Sequence, residues 1–173
     1  MTELKRSSDY NPFFSLRNSN YRIYWFSTCL SGIAMWTQNA TQLWLAYRMT
    51  DSAALLGFVS AMQFIPILLF SIFAGALIER LRKKTAIIVS QICLSCVALI
   101  MAALILSGNV RYGHVLMAAG LTGMINVFNF PLKQAIIGEL VDKEDLVNAV
   151  ALYSAVYNLA RIIGPAVAGI TIA

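Results

Sequence analysis

Residues 53–78 read AALLGFVSAMQFIPILLFSIFAGALI, an apolar run without a single charged side chain. A helix needs about 20 consecutive, mainly apolar residues to cross a hydrocarbon core about 30 Å thick. This run is long enough, and a helix satisfies its own backbone hydrogen bonds in lipid. We therefore predict that residues 53–78 form a membrane-spanning α-helix.

Four further segments have the same character, and we place helices over residues 23–47, 85–107, 112–135 and 146–173. The whole chain has 173 residues, of which 59% are hydrophobic and 12% are charged. A soluble domain carries about 25% charged residues, so a water-soluble surface is excluded. The predicted fold class is an all-α integral membrane protein with about five transmembrane helices.

The net charge of +5 comes from short basic clusters between the apolar segments, which favours membrane topology over nucleic-acid binding. One side of the predicted topology carries Lys5, Arg6, Arg17, Arg22, Arg80, Arg82, Lys83, Lys84, Lys133 and Lys143, and the other carries Arg48 and Arg111. The positive-inside rule then predicts a cytoplasmic N-terminal segment over residues 1–22, followed by transmembrane helices over residues 23–173. We expect a multi-pass protein of a bacterial or archaeal cell membrane, cut before a sixth helix.

Polar side chains recur along one face of the first, second, fourth and fifth predicted helices. The third has the weakest polar face, so we expect it to face lipid. Such amides can simply bond neighbouring helices together, and Arg161 can reach the headgroups, so both readings stay open. Four polar faces and an arginine in a membrane helix favour a shared aqueous cavity. Its predicted lining comprises Gln38, Asn39, Gln63, Asn126, Asn129, Asn158 and Arg161.

The sequence gives little indication of a metal site, a redox site or a catalytic site. Cys93 and Cys96 form a C-x-x-C pattern inside an apolar helix, without two further ligands for a metal. The single histidine, His114, has no nearby nucleophile and carboxylate pattern. We therefore predict no metal, no cofactor and no enzymatic activity.

Residues 75–84 read GALIERLRKK, which resembles the loop-2/3 motif of the major facilitator superfamily, Gly-x-Leu-x-Asp-Arg-x-Gly-Arg-Lys. Glu79 replaces the aspartate and Arg82 the second glycine. Residues 15–24, 64–66 and 160–165 resemble the branch of enterobactin-exporter-like and transmembrane secretion effector proteins. The last stretch is similar to the antiporter motif, with its remaining glycines and proline at Gly164, Pro165 and Gly169. The resemblance covers nearly the whole chain.

This resemblance implies two six-helix halves that provide alternating access to a central site, with this chain in the N-terminal half. It also implies that Gly75, Glu79, Arg80, Lys83 and Lys84 form a gating loop that engages the opposite half. The predicted function is secondary active export of a small organic molecule, siderophore-like or drug-like. The expected partners are the lipid bilayer, this substrate and the C-terminal transporter half. The alternative is a truncated or scaffolding membrane protein that transports nothing.

Overall fold

The computed structural model describes residues 13–172, and within them the chain is helical without a strand. Its elements are a 3-10 helix at Phe14–Arg17, then α1 (Ser19–Thr50), α2 (Ala53–Ile78), α3 (Lys83–Leu106), α4 (Tyr112–Ala135), α5 (Ile137–Leu140) and α6 (Leu146–Ile172). The predicted all-α class is confirmed. The basic residues Lys5 and Arg6 lie outside the described residues, as does most of the predicted N-terminal segment.

Four of the five long helices are long and apolar enough to cross a membrane: α2, α3, α4 with its continuation to Leu140, and α6. Helix α1 spans 32 residues and is also long enough. It does not reach the same level of hydropathy, because its polar face carries glutamine and asparagine as well as hydroxyl side chains. The described chain is thus a multi-pass membrane protein with five long helices.

Local chemistry explains where α1 begins and ends. It begins at Ser19, one turn before the predicted start, because the Asn18 side chain accepts hydrogen bonds from the backbone N–H groups of Asn20 and Tyr21. This is the usual role of an N-cap residue. The helix ends at Thr50, because the next residue, Asp51, has a left-handed φ of 47° that stops the helical repeat. By contrast, α2 and α4 begin and end where predicted.

Glycines bring two pairs of helices into close contact. Helix α1 packs mainly on α6, and α2 packs mainly on α4. At Gly123 the backbone of α4 lies directly against Gln63 of α2, and at Gly164 the backbone of α6 lies against Trp36 of α1. A Cβ atom at either glycine would overlap its neighbour. Close packing of this kind is how helices associate in lipid.

Helix α3 is the most peripheral of the five. It packs mainly on α4 and buries only Ser90 and Val97, while Leu99 and other large apolar side chains are exposed. This agrees with the expectation that the third long helix faces lipid. One face of α3 differs, because Gln91 and Ser95 line a cavity described below.

Three connections meet at one end of the helices, which we call the basic end. Ser15 of the 3-10 helix donates a 2.8 Å hydrogen bond to Asn148 at the start of α6. The Asn18 side chain donates to the Leu140 carbonyl of α5 at 2.9 Å. Lys83 at the start of α3 forms an ion pair with Glu139 of α5. Residues 13–18, the 79–82 loop and the 136–145 connection therefore share a side, and its cytoplasmic location stays a prediction.

Candidate substrate cavity

An amide chain links α1, α2 and α4 in the half of the bundle far from the basic end. Asn39 donates to the Gln63 side-chain oxygen at 2.5 Å, and Gln63 donates to the Gln42 side-chain oxygen at 3.2 Å. Gln42 in turn donates to the Val115 carbonyl at 2.8 Å. Gln42 and Gln63 are buried. The chain of bonds holds three helices together and fixes the orientation of each amide.

A second polar cluster lies between α3 and α4. The Ser90 hydroxyl donates to the Asn129 side-chain oxygen at 3.1 Å, and Asn129 donates to the Asn126 oxygen at 3.3 Å. Asn126 and Asn129 lie one helical turn apart on α4 and are both buried. Their spacing places them on the face of α4 that turns into the bundle.

Both clusters border a cavity of about 530 Å³. Its walls come from α1, α2, α3, α4 and the single α6 residue Tyr157. The polar side chains of this lining are Ser27, Ser31, Gln38, Asn39, Gln42, Gln63, Gln91, Ser95, Thr122, Asn126, Asn129 and Lys133. The structure thus brings together five of the seven predicted cavity residues. They are Gln38, Asn39, Gln63, Asn126 and Asn129.

Lys133 is the one charged residue in the cavity lining. Its side chain is 8% exposed, and its ammonium group donates to the Ser31 hydroxyl at 3.0 Å. The sequence placed Lys133 on the polar face of this helix with Asn126 and Asn129, but we counted it among the cations of the basic end and did not include it in the predicted cavity lining. The signal that could have found it is the helical spacing of Lys133 from Asn126 and Asn129, which share its face of α4, together with the tilt of the Cα–Cβ bond towards the N-terminus of a helix. For α4, that is the end far from the basic end.

An aromatic cluster separates this cavity from a second one of about 430 Å³ between α2, α4 and α6. The Tyr157 ring lies 6.1 Å from both the Trp36 and Phe130 rings and 6.4 Å from the Tyr153 ring, measured between centroids. Asn126, Phe130 and Tyr157 line both cavities. The two spaces therefore adjoin, with Tyr157 at their boundary.

The two remaining predicted cavity residues lie on the exposed side of α6. Asn158 lines the second cavity, and its amide donates to the Ser154 carbonyl one turn back at 2.9 Å. Arg161 lines neither of the two cavities. It is exposed, and its guanidinium carbon lies 5.5 Å from the centroid of the Trp36 ring. That distance is within the range of a cation–π contact.

The antiporter-like motif serves the packing of α6 on α1. Gly164 is buried against Trp36, and its carbonyl accepts a 3.1 Å hydrogen bond from the Thr37 hydroxyl. Pro165 lies inside α6 and, like Gly169, is exposed. A substrate or coupling role for these three residues stays a prediction.

The predicted gating residues fall into two groups. Glu79, Arg80 and Lys84 are exposed at the basic end, and none of their side chains has a hydrogen bond or ion pair to the part of the chain that the structure describes. Lys83 instead pairs with Glu139 at 2.5 Å, which ties the start of α3 to α5. Gly75 lines the second cavity. Engagement of the opposite half by this loop stays a prediction.

Within residues 13–172 no group of histidine, cysteine and acidic side chains could hold a metal ion. Cys93 and Cys96 are free and exposed on α3. The described site is therefore a cavity with amides, aromatic rings and one cation.

Comparison with known proteins assigns the family. Residues 8–173 match the family described as transmembrane secretion effector. The chain belongs to this family of the major facilitator superfamily. Among curated proteins, the staphyloferrin A transporter of Staphylococcus aureus (strain NCTC 8325 / PS 47) is 30% identical over 152 residues, which are 87% of this chain and 38% of that protein. The chain thus spans less than half the length of this relative, and no solved structure matches it.

The family is described as a secretion effector and the relative as a transporter, so both names refer to transport across a membrane. This agrees with the resemblance seen in residues 75–84 and 160–165. Four apolar helices and an α1 that carries amide side chains are compatible with a membrane transporter, in which polar residues of membrane helices mark the pathway. Membrane transport is therefore the coarse function that the family indicates.

Proposed function

We propose that this chain forms the N-terminal part of a secondary active exporter that moves a small organic molecule across the cell membrane by alternating access. The cavity of about 530 Å³ carries the proposal, because polar and aromatic side chains from five helices converge on it. Ligand sites are typically concave and largely apolar, with a few convergent polar groups. The staphyloferrin A transporter provides the first substrate to try.

Helix association alone accounts for some of the amides, since Asn39, Gln42 and Gln63 bond one another. Gln38 differs from them. It lines the cavity, and its side chain has no hydrogen-bond partner in the part of the chain that the structure describes. A side-chain amide in a membrane helix that has no hydrogen bond to another protein group needs water or a ligand as its partner. Gln38 therefore supports an aqueous cavity over a purely structural role.

The exposed polar side chains of α6 support a second part of the proposal. Ser154, Asn158 and Arg161 follow one another at three- and four-residue spacing and are all exposed on α6. A cation on a membrane helix is costly in lipid and is usually covered by protein or water. We infer that the C-terminal half of the complete transporter covers this side, with the substrate pathway between the two halves.

The experiment compares the spent medium of cells that express the complete protein with that of cells that lack it. We expect at least one small organic molecule to accumulate only with the protein. The Arg161→Ala variant should lower its release about tenfold or more while membrane insertion is unchanged. The Lys143→Ala variant is the control, since Lys143 is an exposed loop cation.

Two results would contradict the proposal. Identical media with and without the protein would favour a scaffold that transports nothing. Accumulation of the molecule inside the expressing cells would instead show import rather than export. Adding staphyloferrin A to the cells tests the first candidate substrate in the same format.

A further inference from the structure

The setting of Lys133 is unusual for a cation in a membrane helix. It lies two residues before the end of α4, close enough to the basic end for its side chain to reach the headgroup region. The side chain takes the opposite direction. Its backbone carbonyl accepts a 2.6 Å hydrogen bond from Tyr24, whereas its ammonium group contacts Ser31. Ser31 lies two helical turns, about 10 Å, further from the basic end along α1 than Tyr24.

The ammonium group reaches this depth without a countercharge. Within the described residues its hydrogen-bond partner is the neutral Ser31 hydroxyl, which itself donates to the Thr28 carbonyl at 3.3 Å. The acidic residues within the described range all lie outside the five long helices. They are Asp51, Glu79, Glu139, Asp142, Glu144 and Asp145. None of them lines the cavity that holds Lys133.

A lysine ammonium group has three N–H donors, of which Ser31 receives one. The other two are available on the cavity side. A buried cation with no opposite charge is unfavourable, and a bound anion removes that cost while forming charge-assisted hydrogen bonds. Asn126 and Asn129, which line the same cavity, add neutral polar groups near the anion.

We propose that Lys133 is the subsite for a carboxylate group of the transported molecule, with Ser31 holding the ammonium group in position. The substrate class is then an organic carboxylate whose apolar part lies against the aromatic and aliphatic wall of the cavity. Phe64, Phe130 and Tyr157 belong to that wall. This inference rests on the proposed function, and it names the substrate class for the same cavity.

The test uses the complete protein, purified in lipid nanodiscs, and a matched pair of probes. These are 1-naphthaleneacetate, a carboxylate at pH 7, and the uncharged 1-naphthaleneacetamide. Equilibrium dialysis measures both dissociation constants. We expect the carboxylate to bind about tenfold or more tightly than the amide, which corresponds to the strength of one charge-assisted contact.

Variants assign this preference to one residue. Lys133→Met should abolish it while leaving amide binding unchanged, and Lys133→Arg should retain it. Lys143→Met is the matched control, because it removes an exposed loop cation, and it should keep the preference. If Lys133→Met does not fold, the comparison of the two probes in the native protein still decides.

Equal affinity for the two probes, or no binding of either, would overturn the proposal. So would a Lys133→Met variant that loses both probes equally, or a carboxylate from the rest of the protein that already pairs with Lys133 and removes the preference. Vesicle transport of the same probes separates the two ideas. Preferential binding without transport would contradict the exporter and leave the subsite standing. Transport of neutral molecules alone would contradict the carboxylate subsite and leave the exporter standing.

Discussion

Two cations in the membrane helices have opposite surroundings. Lys133 of α4 is buried and lines the cavity, and within the described residues its ammonium group donates to one hydroxyl group and has no acidic partner. Arg161 of α6 is exposed and lies over the face of Trp36. A charge on the outer side of a bundle can be covered later by another protein surface, whereas a buried ammonium group needs a partner inside its own cavity. This difference makes Lys133 the candidate contact for substrate and Arg161 the candidate contact for the opposite half of the transporter.

The helices that carry these two cations, α4 and α6, each pack closely on a neighbouring helix through a glycine. Substitution of these glycines should cause the largest loss of stability. Gly123→Val would push α4 from Gln63, and Gly164→Val would push α6 from Trp36. We expect each variant to lose about 1–3 kcal/mol of stability or to fail to assemble, because overpacking displaces backbone. Thermal unfolding in detergent and size-exclusion profiles measure this loss.

Gly169→Val is the control for both variants, since a Cβ at this exposed position meets no neighbouring atom. Its unfolding temperature should stay close to that of the native protein. Normal stability of Gly123→Val or Gly164→Val would mean that the helices do not approach as closely as described.

The stability of the Lys133→Met variant is the next test of the comparison. Removing a buried charge that has no countercharge should leave the protein equally stable or raise its stability by about 1 kcal/mol or more. Arg161→Met should change stability less, because Arg161 is exposed. Chemical or thermal unfolding of the two purified variants provides the comparison. A marked loss of stability in Lys133→Met alone would indicate a carboxylate partner and would contradict the described setting.

The contact between Arg161 and Trp36 should have a smaller energy. A double-mutant cycle with Arg161→Met and Trp36→Leu should give a coupling of about 0.5–1 kcal/mol, the size of an exposed cation–π contact. Unfolding of the two single variants and the double variant supplies the measurement. Purely additive effects would show that the two side chains do not interact.

The smallest effect is expected at the ion pair of Lys83 and Glu139. The glutamate is largely exposed, so the coupling between Lys83→Met and Glu139→Gln should be about 0.2–1 kcal/mol. High salt should reduce this coupling, because exposed charges are screened. A coupling that persists in 1 M salt would mean that the pair is more enclosed than the structure shows.

The long helices were predictable because each contains an apolar run long enough to cross a membrane, and α2 and α4 have their predicted ends. The short elements were not. The 3-10 helix and α5 are held by distant contacts, such as Ser15 with Asn148 and Asn18 with Leu140, which leave no periodic pattern in the sequence. Local capping by Asn18 also moved the start of α1.

The candidate site was predictable in part for a related reason. Helical spacing placed Gln38, Asn39, Gln63, Asn126 and Asn129 on inward faces, and in the structure all five line one cavity, while their contact with a substrate stays a prediction. Counting cations by side considers only their position along the chain. It therefore assigned Lys133 to the basic end, although Lys133 shares the inward face of α4 with Asn126 and Asn129 and its ammonium group contacts Ser31 of α1.

The most direct test of the account is whether its cavity contains water. In a cysteine-free version of the complete protein in native membranes, Gln38→Cys and Leu99→Cys are each treated with a small hydrophilic thiosulfonate reagent. We predict that position 38 reacts readily, because Gln38 lines the cavity, and that position 99 does not, because Leu99 is exposed on lipid-facing α3. An unreactive position 38, with an exposed loop cysteine at Ser107 reacting normally, would contradict the account.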